Sequence, residues 1–176
     1  MGSEMKKSGS FILMVLLLIS VFSTYSWWKA EKEKKEVLAE FYWKFQTSSI
    51  ELSYMGGTFE YLLRNNASYE VLLLYLDIYY FHVRNLYWTF GILAAYTNEQ
   101  KFRKLNAALV DLSVALNHMR KPPGELQEDL KKNLETLKRF DDLFKELSKY
   151  NTPWEIPDEL ADEFFKLSEE LMKNGG

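Results

Sequence analysis

Between Lys29 and the C-terminus, apolar side chains recur every three or four residues and never alternate long enough for a strand, which is helical periodicity. Leu38, Phe41, Phe45, Leu52, Met55, Phe59 and Leu62 keep a 3–4 spacing for over three heptads, with Ser48 the one polar entry. Gly56-Gly57 lies inside that seam, as a kink or as a place where a neighbour approaches closely, so residues 29–64 read as one long helix with a potential break at the glycine pair. Asn65-Asn66-Ala67-Ser68 follows as a turn, and a second helix spans 68–96.

Thr97-Asn98-Glu99-Gln100 has the spacing of a capping box, in which Thr and Gln three apart satisfy each other's free amides, and opens a third helix. Its seam is Phe102, Leu105, Leu109, Leu112, Leu116 and Met119. Pro122-Pro123-Gly124 breaks the chain, and Leu126, Leu130, Leu134, Leu137, Phe140, Phe144 and Leu147 line a fourth helix. Thr152-Pro153-Trp154-Glu155 is a second capping box with Pro at the first helical position. Leu160, Phe164, Leu167 and Leu171 mark a short fifth helix. The expected fold is all-α: an antiparallel helical bundle of four long helices plus a short C-terminal helix, behind an N-terminal hydrophobic helix.

That N-terminal helix carries the strongest hint of cellular address. From Phe11 to Phe22 only Ser20 interrupts an apolar run, and Lys6-Lys7 precedes it. Twelve residues suit the hydrophobic region of a signal peptide. Extending to Trp28 gives about 27 Å of helix, enough to cross the hydrocarbon, with Tyr25, Trp27 and Trp28 at interfacial depth. Residues 1–28 therefore read as a retained anchor or a cleaved signal, and 29–176 as the helical bundle domain. Met5-Lys6-Lys7 reads as a natural start, with Gly2-Ser3-Glu4 ahead of it. Lys29, Lys32, Lys34 and Lys35 outnumber the leading lysines, but Glu31, Glu33, Glu36 and Glu40 neutralise that flank, which favours an extracytoplasmic body. Secretion after cleavage is the alternative.

The second helix is unusual. "VLLLYLDIYYFHVRNLYWTFGILAAY" is apolar or aromatic on nearly every side, with Glu70, Asp77, Arg84 and Gly91 at sevenfold spacing. As a second span, Asp77 and Arg84 would each cost about 2.5–3.5 kcal/mol at mid-bilayer, near balance with the apolar gain. A helix apolar all round belongs at the middle of a bundle. In that setting Asp77, His82 and Arg84 form a buried polar set with partners such as Lys104, Glu51 or Asp111. With Phe45, Tyr79, Tyr80 and Trp88 they are the candidate ligand site.

Composition narrows the chemistry. The 176 residues suit one domain and carry net charge −3 with both signs interspersed, so no basic field points to nucleic acid. Cysteine is absent, which removes disulfides and thiolate chemistry. His82 and His118 are the only histidines and neither has metal-ligand spacing, so no metal and no cofactor is expected. Asn66-Ala67-Ser68 is a glycosylation sequon, read here as a helix cap. Three Gln against 18 Glu and 17 Lys lean towards a heat-adapted source. There is no phosphate loop, nucleophile elbow or dinucleotide fingerprint.

A basic leader and a hydrophobic helix continuing into an amphipathic one resemble a type IV pilin over the first 50 residues. The Ser8-Gly9-Ser10 junction, Met14 in place of the usual Glu, and a body without strands depart from that family, which is not adopted. The expected role is a single-pass, membrane-anchored helical bundle that is not an enzyme and acts through protein–protein contact, as structural subunit or sensor-like module. Its partner is another protein or a homo-oligomer near the bilayer. The alternative is binding or carrying a lipid or quinone in an aromatic-lined pocket between helices.

Overall fold

A computed structural model of the chain describes residues 2–174; the side chains of 1–10, 12 and 174–176, including the Lys6-Lys7 flank and the Ser8-Gly9-Ser10 junction, lie outside the description. The elements in order are α1 (Gly2–Leu52), α2 (Met55–Arg64), α3 (Tyr69–Thr97), α4 (Gln100–His118), α5 (Pro123–Leu147), a 3₁₀ turn (Pro153–Glu155) and α6 (Asp158–Asn174). The protein is all-helical, with no strand among the described residues. By contacts the chain divides into two compact units, 1–40 and 41–176.

In the first unit α1 presents its apolar run bare. Leu13, Leu16, Leu17, Leu18, Ile19 and Phe22 are all exposed, Phe22 to 72 %. This stretch is long and apolar enough to be a membrane span or a signal sequence. Just beyond it, Lys34–Glu31 (2.8 Å), Lys29–Glu33 (3.7 Å) and Lys32–Glu36 (3.7 Å) pair along the helix, each contributing a few tenths of a kcal/mol. Intrahelical pairing is how the acidic residues neutralise the lysine flank.

In the second unit, α3 packs on α4, α4 on α6, and α5 on both α2 and α6. The α4 seam is inside as expected, from Phe102 through Leu105, Leu109, Leu112 and Leu116 to Met119. So is the α6 seam of Leu160, Phe164, Leu167 and Leu171. Two seams shift by one residue over part of their length. On α1, Tyr42, Gln46 and Ser49 are buried where Phe41 and Phe45 were expected, and those two are half-buried. On α5, Asn133 is buried and Leu134 is half-buried, so the inward positions 126, 130, 133, 137, 140, 144 and 147 keep strict 3–4 spacing.

Polar side chains at the α1 shift explain it. Gln46 Nε2 donates to the carbonyls of Ser148 and Tyr150 (3.0 Å each), and Tyr42 Oη reaches the Leu147 carbonyl at 3.5 Å. The Ser148 and Tyr150 carbonyls lie just past the end of α5, where no further helical turn supplies donors, and the Leu147 carbonyl also accepts the Tyr150 amide at 3.3 Å. Burial raises the Tyr42 hydroxyl pKa.

The long-helix expectation is corrected at residues 53–54. Ser53 and Tyr54 form a tight turn, their amides bonding the Ser49 and Glu51 carbonyls (3.1 and 3.3 Å), and α2 starts afresh at Met55. Gly56-Gly57 is therefore the first turn of a new helix. A Cβ on Gly56 would sit 2.5 Å from the Lys138 amide nitrogen, so the missing side chain lets α2 and α5 touch backbone to backbone. The same approach brings the Asp141 carboxylate onto the free amides of Gly56 (2.7 Å) and Gly57 (2.8 Å), capping α2 from another helix. Burial pushes the Asp141 carboxyl up to about 6, outweighing the two donors that pull it down.

Of the two capping boxes, Thr152–Glu155 forms: the Thr152 amide donates to Glu155 Oε2 at 3.3 Å. Thr97–Gln100 does not. Asn98 adopts a left-handed φ of 60° and terminates α3 there. The Thr97 hydroxyl then bonds back to the Leu93 carbonyl (2.7 Å), and α4 begins only after Glu99. Ser68 does occupy the N-cap place of α3, without a side-chain bond to the helix amides.

Candidate functional site

The expected buried polar set is not assembled. Asp77 keeps 52 % of its side chain exposed and pairs with Arg120 at 2.6 Å. Arg84 is exposed and lies over the Tyr80 ring at 5.8 Å, with Arg120 over the same ring at 4.6 Å. His82 is half-buried and shares a 3.1 Å hydrogen bond with the Ser48 hydroxyl, which is the polar entry of the α1 seam. Desolvation lowers the His82 pKa, opposed by Glu51 nearby. The suggested partners of this set have other roles: Lys104 pairs with Asp162, and Asp111 accepts the Ser168 hydroxyl at 2.9 Å.

The aromatic candidates do not converge on one space either. Tyr79 is buried against Phe59, ring centroids 5.5 Å apart. Phe45 packs on Phe41 at 5.0 Å, and Trp88 stacks on Tyr87 at 5.1 Å while remaining 56 % exposed. Tyr80 is a half-buried platform for two arginines.

What α3 offers instead is an apolar face open to the surroundings. Leu72, Leu76, Tyr79, Val83, Leu86, Phe90 and Leu93 turn inwards. Val71, Leu74, Ile78, Phe81 and Trp88 turn outwards, Phe81 to 60 %. The helix is thus two-sided, not enclosed on all sides, and the expectation of a central helix with neighbours all round is corrected. Gly91 shows the cause on one edge: a Cβ there would lie 3.1 Å from Asn106 Nδ2, and Asn106 donates to the Tyr87 carbonyl at 2.7 Å. α4 is locked closely against that flank, the end of α1 (Tyr42 on Phe90, Ser48 on His82) and α2 (Phe59 on Tyr79) cover the inward side, and the side carrying Leu74, Phe81 and Trp88 is left uncovered. Adjacent exposed Leu, Ile, Phe and Trp of this size mark an interaction surface more often than a solvated one.

The signal for this face is in the sequence. Val71, Ile78, Asn85 and Ile92 recur every seven residues, as do Leu74, Phe81, Trp88 and Ala95. The surrounding apolar residues hid it, because an all-round hydrophobic pattern does not say which stripe the chain itself covers.

A second feature escaped the sequence. Asn133 Oδ1 is buried without a hydrogen-bond partner, while its Nδ2 bonds the Asp129 carbonyl at 2.9 Å. It lines a cavity of about 130 Å³ with Ala115, His118, Met119, Asp129, Leu171 and Met172. One or a few waters would satisfy it. Among the described residues, no group of three or more carboxylates and imidazoles is placed to hold a metal ion. No protein-family model matches the chain, and no curated protein or solved structure does.

Proposed function

We propose that the chain is a single-pass membrane protein whose antiparallel helical bundle lies outside the cytoplasm and acts through protein–protein contact. The observation that carries this reading is the outward seam of α3. Its large apolar side chains, 37–60 % exposed from Val71 to Trp88, stand on a helix whose other side is buried in the domain. The exposed apolar start of α1 supports attachment to a bilayer. Together they suit a domain held near the membrane with one face reserved for a protein. The scattered placement of Phe45, Tyr79, Tyr80 and Trp88 weighs against a lipid or quinone pocket at that place.

Native mass spectrometry after mild detergent extraction tests the choice. The reading expects the chain to be released with protein bound. A lone chain carrying a stoichiometric lipid or quinone would replace it with the carrier alternative.

A further inference from the structure

The α3 face says more about its partner, in an inference that rests on the interaction reading above. We propose that it pairs with the same face of a second copy of this chain, as a parallel, in-register two-stranded coiled coil.

The outward positions form two sevenfold series three residues apart: Val71, Ile78, Asn85 and Ile92, then Leu74, Phe81, Trp88 and Ala95. Val71, Leu74, Ile78, Phe81 and Trp88 are exposed, and Asn85 and Ile92 are half-buried. Val71, Ile78 and Ile92 give the first series the β-branched residues that suit a two-stranded pair, while Leu74, Phe81, Trp88 and Ala95 fill the second. A single Asn within the first series is the device that fixes register. An amide both donates and accepts, so Asn85 on an otherwise apolar seam is met best by an identical amide at the same level. A second copy in register supplies it; an unrelated partner would need the same amide at the same height.

The flanks agree. Glu70, Asp77 and Arg84, all exposed, follow one edge of the seam, and half-buried Tyr75 and His82 the other, where Thr89 is turned into the domain. In a parallel pair each residue of the first edge faces the one five positions later in the second copy. Glu70 then meets Tyr75 and Asp77 meets His82, with no like charges opposed. An antiparallel pair would match Asp77 with Arg84 reciprocally but set Asn85 against Leu74.

The chain has no cysteine, so single cysteines report the geometry directly. Full-length Ile78→Cys and Ile92→Cys, each reconstituted in vesicles and mildly oxidised, should both form covalent dimers. Lys132→Cys, exposed on α5, should not. A link at 78 without one at 92 would mean antiparallel pairing and overturn the proposal, as would equal linking at all three positions. No link at 78 or 92, with a monomer by light scattering in mild detergent, would rule out self-pairing. In that case a different protein held by the wild-type chain and lost from Phe81→Asp leaves the interaction reading standing. No bound protein at all removes both.

Discussion

The α4 seam and the outer seam of α3 follow the same 3–4 rule, are similarly apolar and are of comparable length, yet one is buried by its own chain and the other is not. Leu112, midway along the first, has no exposed surface, whereas Phe81, midway along the second, is 60 % exposed. Periodicity states that a helix has a face to bury. It does not state who covers it. The difference is that α4 lies between α3 and α6, while α3 gives one side to the domain and keeps the other. The first seam therefore contributes to folding, and the second is available for association.

Substitutions should separate the two. The largest effect belongs to Leu112→Ala, which should lower folding stability by about 2–5 kcal/mol in a denaturant titration. A loss under about 1 kcal/mol would mean the α4 seam is not the core. Next is Gly56→Ala, where the new methyl meets the Lys138 backbone; overpacking of that kind costs about 1–3 kcal/mol. If it is neutral, α2 and α5 are not in backbone contact.

Asp141→Ala should cost about 1–2 kcal/mol, because two helix amides lose their acceptor. The pH dependence has a definite sign. The carboxyl titrates near 6 in the folded chain against 3.8 when unfolded. The folded form therefore holds the proton more tightly, and stability present below pH 4 is lost as pH rises through 6. The full displacement corresponds to about 3 kcal/mol; partial exposure and screening reduce it to about 1 kcal/mol. Thermal melts from pH 4 to 7 check this, and Asp141→Asn should flatten the profile. A rise in stability over that range would contradict the burial argument. The smallest effect on folding is Phe81→Ser on the open seam, within about 0.5 kcal/mol. A large loss there would show that the chain covers this face itself.

Much of the fold was legible because α4 and α6 are amphipathic in the ordinary sense: one apolar stripe, polar elsewhere, one possible inside. The C-terminal capping box was legible because Thr152 and Glu155 satisfy each other locally. The break at Ser53-Tyr54 was not, since the turn is stabilised by Gly56, Gly57 and Asp141, whose meeting spans 85 positions of sequence at Gly56. Thr97 misled because the left-handed turn at Asn98 decides where α4 begins. The candidate site failed for a reason particular to α3. A helix apolar on every side reads as enclosed, which requires Asp77 and Arg84 to be buried. In the structure they edge an open seam, and their sevenfold spacing runs parallel to it. The spacing itself was visible; its meaning needed the burial of the opposite side.

Everything proposed for α3 requires its outer seam to be covered by protein in the assembled state. Light scattering of the full-length chain in mild detergent, beside Phe81→Asp, tests it most directly. The wild-type chain should show a protein mass of two chains and Phe81→Asp a mass of one, with the same helical content in both. A wild-type chain that is monomeric, carries no other protein and is unchanged by Phe81→Asp would contradict it.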